Sequence, residues 1–389
     1  MRPLAGRRLW FVGIGGAGLS SYAVLARAWG AEVGGWDRVE TPYLRSLEGV
    51  ELVLADDPVV PEGWEAVVSS AYPAVPGTRR ADFLAELVSL RRAIVVAGAH
   101  GKTTTTGMIA FVLSELGLDP AWLIGGEVAQ LGGNAGAGEG WLVVEGDESD
   151  RTVERLRPEI GVVTNVELDH HATFSSEAEV EELFERWLAG VPQAVRGWEL
   201  EPVGFELALP GEHNRRNAAA ALAALDLAGV ARADAEPVLA RFTGAGRRFE
   251  PAGEHGGVSV VDDYAHHPSE IAATIAAARE RTDGRVLVLF QPHLYSRTRH
   301  LAQELGEALS AADAVCVTEI YRAREEPVEG VTGKLVVDAL RPGLRAGWAP
   351  LVEDGARIVA SWARPGDLVL TVGAGDVERA GPLVLEALA

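Results

Sequence analysis

Residues 98–106 read GAHGKTTTT, which has the composition of a phosphate-binding loop. The loop follows an apolar segment typical of a buried strand (AIVVAG) and precedes a segment typical of a helix (GMIAFVLSELG). Glycine lets backbone N–H groups approach an anion, lysine reaches the terminal phosphates, and a threonine hydroxyl binds magnesium. We therefore predict that Lys102 and Thr103 bind a nucleoside triphosphate and its metal ion. The pattern is shortened, because Val96 stands where the strict motif has glycine, and a glycine turn capped by threonines is the alternative.

A cluster of carboxylates follows the apolar segment WLVVE, where a parallel strand would end. Its members are Glu145, Asp147, Glu148 and Asp150. Clustered carboxylates destabilise one another unless a cation lies among them. This turn is therefore predicted to bind a metal ion beside the phosphate loop, with a solvated acidic turn as the alternative.

A further apolar segment, IGVVTNV, leads into a second polar cluster. The cluster comprises Thr164, Asn165, Glu167, Asp169, His170 and His171. Carboxylates and a neutral imidazole are able to complete a second magnesium site, and His170 is the candidate ligand. Two metal ions would neutralise charge as a phosphoryl group transfers. A core or surface histidine is the alternative.

The segment GEHNRRNAAAALAAL predicts an alanine-rich helix whose first turn carries His213, Asn214 and Asn217. The two asparagines are three residues apart and therefore share one face. Helix capping explains Asn214 without a ligand, but it explains Asn217 less well.

Two later segments place further polar residues at strand ends. DDYAHHPSE exposes Asp263, Tyr264, His266 and His267 before a helix that starts at Pro268, and FQPHLYSRT presents His293 and Arg297. Arginine suits bidentate recognition of a carboxylate, as an amino-acid substrate would require. Each histidine alone has a structural explanation, but together the two segments predict one crevice at the strand ends.

GIGGAG at residues 13–18, with Asp37 at the end of the second predicted strand, resembles a dinucleotide fingerprint. By itself this signal is weak. It would equally accept any nucleotide diphosphate, including a UDP-sugar.

These residues are positioned by short apolar, β-rich runs that alternate with helical periods, a pattern typical of parallel α/β architecture. The pattern occurs three times. We predict an α/β protein with three domains: a Rossmann-like amino-terminal domain (1–92), a central P-loop ATPase domain (93–242) and a Rossmann-like carboxyl-terminal domain (243–389).

Composition indicates which partners and which cellular location to expect. The chain of 389 residues has 35 basic and 56 acidic residues, a formal charge of -21 that repels nucleic acid and anionic membranes, so we expect neither as a partner. A phosphate-bearing substrate would need backbone amides, a metal ion or a few placed cations. The single cysteine, Cys316, lies in an apolar run (AVCV) that predicts a buried strand. Glycines interrupt the only signal-like segment and no apolar run spans a bilayer, so we expect a cytoplasmic protein.

Taken in order, the motifs resemble those of the Mur ligase family. The resemblance extends over nearly the whole chain and is carried by GIGGAGLS, VVSSAY, GAHGKTTTT, VEGDESD, TNVELDH, GEHNRRNA, GRRFE, DDYAHHPSE and FQPHLYSRT. The last two are the most specific to the alanine-adding branch. The resemblance implies an ATP- and Mg²⁺-dependent ligase of peptidoglycan synthesis. It would join L-alanine to the lactyl carboxylate of UDP-N-acetylmuramate through an acyl phosphate, with its third domain closing on the other two.

The resemblance also implies residue roles. Catalysis would depend on Lys102, Glu145 and His170, and the metal ligands would be Thr103, Glu145 and His170. ATP would contact Gly98, His100, Gly101, Lys102, Thr103, Thr104, Asn214, Asn217, Arg248 and Asp263. The UDP-sugar would contact Gly13, Gly15, Gly16, Gly18, Asp37, Ser69, Ser70 and Asn165. Tyr264, His266, His293 and Arg297 would face adenine or the amino acid.

The sequence departs from the family in two places. Ala172 stands where the family usually has an acidic residue, and the stretch between ELFERWLAG and GEHN is much shorter than usual. We expect a compacted central domain.

Three alternatives remain. A related Mur-type ligase acting on a muropeptide or another amino acid would keep every ATP motif, although FQPHLYSRT argues against it. An NAD-dependent oxidoreductase would use GIGGAG and Asp37 but leaves Lys102 and the acidic turn unexplained. A catalytically weak nucleotide-binding scaffold is suggested by the shortened central domain. The sequence makes no prediction of oligomeric state.

Overall fold

The computed structural model of the chain describes residues 2–47, 49–169, 173–323 and 325–389. Its contacts divide the chain into two compact units. The first unit comprises Met1–Glu167, Ala178–Glu201 and Asn217–Phe242 and contains two β-sheets. The second unit comprises Leu168–Glu177, Pro202–Arg216 and Thr243–Ala389 and contains one.

The first sheet contains only parallel strands. Its strands are β1 (Arg8–Val12), β2 (Glu32–Asp37), β3 (Glu51–Leu54), β4 (Glu65–Val68) and β5 (Thr78–Arg79), in the spatial order β3-β2-β1-β4-β5. The helices are α1 (Ala17–Ala28) and α2 (Arg80–Ser89). The glycine loop 13–16 connects β1 to α1 at the centre of the sheet, so it lies where ligands bind in doubly wound folds.

The second sheet is parallel except for one edge strand. Its strands are β6 (Ala93–Ala97), β7 (Ala121–Val128), β8 (Gly133–Gly136), β9 (Leu142–Glu145), β10 (Ile160–Val163) and β11 (Gln193–Arg196), in the order β11-β10-β6-β9-β7-β8, with β8 antiparallel to β7. The helices that follow in the chain are α3 (Lys102–Glu115), α4 (Glu177–Leu188), α5 (Glu212–Leu227) and α6 (Arg232–Leu239). Between β11 and α5 the chain forms only a short 3-10 helix, Gly197–Glu199.

The third sheet belongs to the second unit. Its strands are β12 (Glu250–His255), β13 (Val258–Asp263), β14 (Val286–Phe290), β15 (Ala314–Val317), β16 (Arg345–Trp348) and β17 (Leu368–Val372), in the order β12-β13-β17-β14-β15-β16. Only β12 is antiparallel to its neighbour. The helices are α7 (Pro268–Arg279), α8 (Tyr295–Leu309), α9 (Lys334–Asp338), α10 (Val352–Trp362) and α11 (Ala380–Leu388). Other short 3-10 helices are Pro42–Leu47, Ala129–Leu131, Thr152–Arg155 and Asp376–Arg379.

Central strands are buried on both faces, which explains why their sequences are continuously apolar instead of alternating. Every residue of β6, β14 and β17 is buried. Cys316 is buried in β15 as predicted, and burial raises the pKa of its thiol to about 12. The predicted three-domain α/β architecture is confirmed: each predicted domain contains one of the three sheets, and the first compact unit contains two of them. In the described part of the chain, no helix has both the length and the apolar character needed to cross a bilayer.

Candidate functional site

The phosphate loop lies between β6 and α3, and α3 begins at Lys102 rather than after the threonines. Lys102 and Thr103 therefore lie in the first turn of a helix whose N-cap is Gly101 and has no side-chain cap. The amide groups of such a turn are open to an anion, and the helix dipole favours negative charge there.

Two glycines of this loop have no room for a side chain. Gly98 has φ +127°, and a Cβ there would lie 2.2 Å from Oγ1 of Thr164. Gly101 has φ +78°, and a Cβ there would lie 2.3 Å from Oδ1 of Asn217. Both positions thus require glycine for backbone conformation and for space. Asn217, predicted at the nucleotide, packs against the loop.

The strand end after β10 holds the loop from its other side. The amide of Asn165 accepts from the N–H of His100 at 2.9 Å and donates to the His100 carbonyl at 2.9 Å. The Thr164 hydroxyl donates to the same carbonyl at 2.5 Å. Asn165, predicted to contact the UDP-sugar, therefore braces the phosphate loop, and its sugar contact stays a prediction.

Lys102 is paired with the acidic turn after β9. Its Nζ lies 3.0 Å from Oε1 of Glu148 and also donates to the carbonyls of Gly98 and Ala99 at 2.6 and 3.1 Å. The Glu148 side chain is only 3% exposed. Burial acts to lower the pKa of Lys102, but the carboxylates of the turn outweigh burial and raise it above its ordinary value. The lysine is therefore charged and held in place by a buried carboxylate.

Two of the three predicted metal ligands lie together. The Thr103 hydroxyl donates to Oε1 of Glu145 at 2.9 Å, and the other oxygen of Glu145 accepts from the Gly125 N–H. A hydroxyl and a carboxylate oxygen at the start of a phosphate-binding helix suit Mg²⁺. His170 and His171 lie outside the described residues, as does Ala172. Nearby, His100 Nε2 lies 3.3 Å from a carboxylate oxygen of Glu167.

In the first sheet, Asp37 braces the glycine loop. Its Oδ2 accepts from the Gly15 N–H and its Oδ1 from the Arg38 N–H, both at 2.7 Å. A Cβ on Gly13, at φ +87°, would lie 2.9 Å from Cβ of Ser69, so the end of β4 closes against the loop. The predicted residues Gly13, Gly15, Asp37 and Ser69 are thus brought together, with the exposed Ser70 next to Ser69.

In the second unit, Asp263 clamps the loop that carries Arg248. The carboxylate accepts from the backbone N–H groups of Phe249 and Ala265 at 2.7 and 2.8 Å. Burial raises the pKa of Asp263 to about 6, although Arg248 and these backbone donors oppose the shift. The Arg248 guanidinium lies 3.6 Å from Glu270 and over the Tyr264 ring. Both predicted nucleotide residues are therefore fixed by neighbours at one strand end.

Three of the residues predicted to face adenine or the amino acid, Tyr264, His266 and His293, form a row of aromatic rings. The ring centroids of Tyr264 and His266 are 5.3 Å apart, and those of His266 and His293 are 5.7 Å apart. Burial lowers the pKa of His266 to about 4 and that of His293 to about 3, so both rings are neutral at physiological pH. Sequence reasoning missed Tyr321, which stacks on His293 at 5.8 Å. No motif marks it, because a bridge between distant segments brings it there.

Arg297 has a carboxylate partner within the protein. Its Nε and Nη2 donate to Oδ1 of Asp169 at 2.9 and 2.7 Å, and its Nη1 lies 3.1 Å from Nδ1 of His293. Both side chains of the pair are 5% exposed. The predicted contact with a substrate carboxylate stays a prediction, and only the guanidinium edge turned away from Asp169 would be available to it.

The two asparagines of the α5 segment fall in different compact units. Asn214 groups with the second unit, where its Nδ2 donates to the Pro210 carbonyl at 2.6 Å, and Asn217 groups with the first. Asn214 is the third residue of α5 and therefore lies within the helix, not at its N-cap position.

A glycine loop that opens a helix, with a lysine, a threonine and a strand-end acid around it, defines a nucleoside-triphosphate-binding α/β protein. Sequence comparisons identify the family within this class. Residues 8–92 match the Mur ligase family catalytic domain, residues 96–196 the Mur ligase middle domain, and residues 247–375 the Mur ligase glutamate ligase domain. The chain belongs to the Mur ligase family.

Its relatives are similar over their full length. The chain is 41% identical to the UDP-N-acetylmuramate--L-alanine ligase of Streptomyces coelicolor, covering 99% of this chain and 98% of the relative. It is 37% identical to the enzyme of that name from Pelotomaculum thermopropionicum, covering 96% of each. Among solved structures, the UDP-N-acetylmuramate-alanine ligase of Thermotoga maritima superposes with a TM-score of 0.79 at 27% identity, covering 98% of this chain and 99% of that one. The Streptomyces alignment spans 459 positions against 389 residues here, so this chain lacks segments that the relative has.

Proposed function

We propose that this chain is an ATP-dependent ligase that joins L-alanine to the lactyl carboxylate of UDP-N-acetylmuramate, in the cytoplasm and for peptidoglycan synthesis. The observation that carries the proposal is the full-length similarity to ligases of that name, in a chain that keeps a lysine- and threonine-bearing phosphate loop beside a strand-end acid. ATP, UDP-N-acetylmuramate and L-alanine are the proposed substrates.

The reaction has two steps. The lactyl carboxylate attacks the γ-phosphorus of ATP, the bond to the ADP oxygen breaks, and an acyl phosphate forms. The neutral amine of L-alanine then attacks the acyl carbon, an amide forms, inorganic phosphate leaves, and the amine proton passes to solvent. No protein nucleophile is needed, so positioning and electrostatic stabilisation supply most of the acceleration.

We assign the charge-stabilising role to the start of α3. Lys102 moves from the carbonyls and Glu148 toward the terminal phosphates, and the open amides of the first turn bind the same anion. Thr103 and Glu145 are proposed to hold Mg²⁺, which when bound neutralises charge on the transferring phosphoryl group. His170 is retained as a proposed further ligand.

The remaining predicted residues are proposed to serve the other two substrates. Gly13, Gly15, Gly16, Gly18, Ser69 and Ser70 would bind the UDP-sugar, with Asp37 and Asn165 bracing loops. Arg248, Asp263, Asn214 and Asn217 would serve the nucleotide. The neutral rings of His266 and His293 do not repel an ammonium group, which suits an amino-acid site. The boundaries 1–92, 93–242 and 243–389 are retained as proposed domains.

The test is phosphate release from ATP with Mg²⁺ and UDP-N-acetylmuramate, scanned across single L-amino acids. The proposal expects release only with L-alanine and a product heavier by one alanyl residue. Release with another amino acid or a muropeptide acceptor would assign a related ligase. A folded protein that binds ATP but releases no phosphate with any combination of acceptor and amino acid would be a nucleotide-binding scaffold. The segments that this chain lacks relative to the Streptomyces enzyme are the reason to test for this outcome. The oxidoreductase would leave the pairing of Lys102 with Glu148 beside the phosphate loop unexplained.

A further inference from the structure

Arg80 joins two parts of the first unit, and none of the motifs considered above includes it. It is the first residue of α2, and its side chain is 26% exposed. Its Nη2 lies 3.2 Å from Asp150 and 3.6 Å from Asp147, both in the acidic turn that also holds Lys102. One edge of the guanidinium is thereby fixed beside the phosphate loop.

The other edge faces the helix that the first glycine loop opens. A Cβ on Gly18 would lie 3.3 Å from Nη1 of Arg80. Gly18 is the second residue of α1, whose N-cap Gly16 has no side-chain cap, so the N–H groups of this turn are open. Tyr22, one turn further along α1, also lies within reach of the Arg80 charge. Within the described ranges, Nη2 is the only side-chain nitrogen of Arg80 that has a hydrogen-bond partner.

Charge balance favours a cation at this place. A helix N-terminus supplies about half a positive charge, whereas a nucleotide diphosphate brings at least two negative charges into a protein of net charge -21. Asp37 adds a carboxylate at the same loop. Backbone amides alone compensate only part of this charge.

We propose that Arg80 binds the diphosphate of the sugar nucleotide through Nη1 and Nε while Nη2 keeps hold of the acidic turn. This inference rests on the proposed function and adds a binding residue to it. The planar guanidinium, with donors on two edges, is suited to bridging an anion and a carboxylate at once, which an ammonium group does less well. Arg80 would thus hold the acceptor in register with the phosphate loop.

The experiment compares Arg80→Gln with Arg79→Gln, which removes the same charge one residue away. Among the residues that the structure describes, the Arg79 guanidinium bonds only to the backbone carbonyls of Val75 and Pro73. UDP and uridine are measured as competitive inhibitors, together with the KM values of all three substrates. We expect Arg80→Gln to weaken the binding of UDP and to raise the KM for UDP-N-acetylmuramate, each by about 10- to 100-fold. The binding of uridine and the KM for L-alanine should not change. Arg79→Gln should behave as the wild-type protein does.

Equal losses for UDP and uridine, or an unchanged KM for the sugar nucleotide, would overturn the assignment and leave Arg80 a purely structural role. If Arg80→Gln does not fold, Arg80→Lys carries the same comparison, since it keeps a cation beside Asp150. Failure of the wild-type protein itself to bind UDP or UDP-N-acetylmuramate would instead refute the proposed function.

Discussion

Replacing Lys102 should reduce stability as well as activity, because the lysine neutralises a buried carboxylate. Glu148 is 3% exposed and its partner lysine 18% exposed, so the pair is largely removed from water. Removing one partner of a buried pair costs about 3–5 kcal/mol. For Lys102→Met we expect about 3 kcal/mol, since the lysine is partly exposed, which is a fall in Tm of about 6–12 °C for a unit of this size.

A second substitution separates the two roles of the lysine. Lys102→Met/Glu148→Gln removes both charges, so we expect it to recover at least half of the lost Tm. Phosphate release should stay at least about 100-fold below wild type in both variants, because no group replaces the charge on the phosphates. The control is Lys334→Met, which removes the chain's other lysine, whose ammonium lies over the Trp348 ring at 4.3 Å. Its Tm should change by about 3 °C or less.

Thermal denaturation and ATP-dependent phosphate release are the two assays. A Lys102→Met protein with the Tm of the wild type would refute the buried pair. A double variant as unstable as the single one would show that Glu148 is not the group left uncompensated. Recovery of turnover in the double variant would refute the role of Lys102 at the phosphates.

Three further outcomes are expected. Gly98→Ala should lower stability by about 1–3 kcal/mol more than Gly117→Ala and weaken ATP binding, because both have positive φ but only Gly98 lacks space; equal effects in thermal denaturation would contradict this. Asp169→Asn should raise the KM for L-alanine and spare that for ATP, since it removes the charge that fixes Arg297; unchanged kinetics would remove the pair from the site. Finally, stability should fall as pH drops from about 6.5 toward 4. Burial lowers the pKa values of His213, His266 and His293 to about 3–4, so the unfolded chain takes up protons before the folded chain does. The raised pKa of Asp263 partly offsets this loss of stability. His266→Gln should reduce this acid sensitivity in denaturation curves recorded across that range.

Local sequence was enough to predict the elements that carry the site. Continuous apolar runs such as AIVVA and VLVLF are strands buried on both faces, and the structure places β6 and β14 at those positions. The helix α3 begins at Lys102, whereas the sequence predicted a start after the four threonines. The prediction was too late because threonine has only a modest helix propensity. The prediction therefore located the loop correctly but misjudged which of its residues are helical.

The sequence by itself determined the set of groups proposed to bind phosphate and metal. Glycine, lysine and threonine lie together between one strand and the helix that follows it, and the acids follow directly at the end of another strand. The tertiary structure alone decided which groups pair across the chain. Asp169 and Arg297 are 128 residues apart, and Arg80 and Asp150 are 70 apart. No local pattern encodes such pairs, since they depend on how sheets and loops pack. Short sequence motifs thus supply the candidate site residues, whereas ion pairs such as Asp169–Arg297 and Arg80–Asp150 form only when the chain folds.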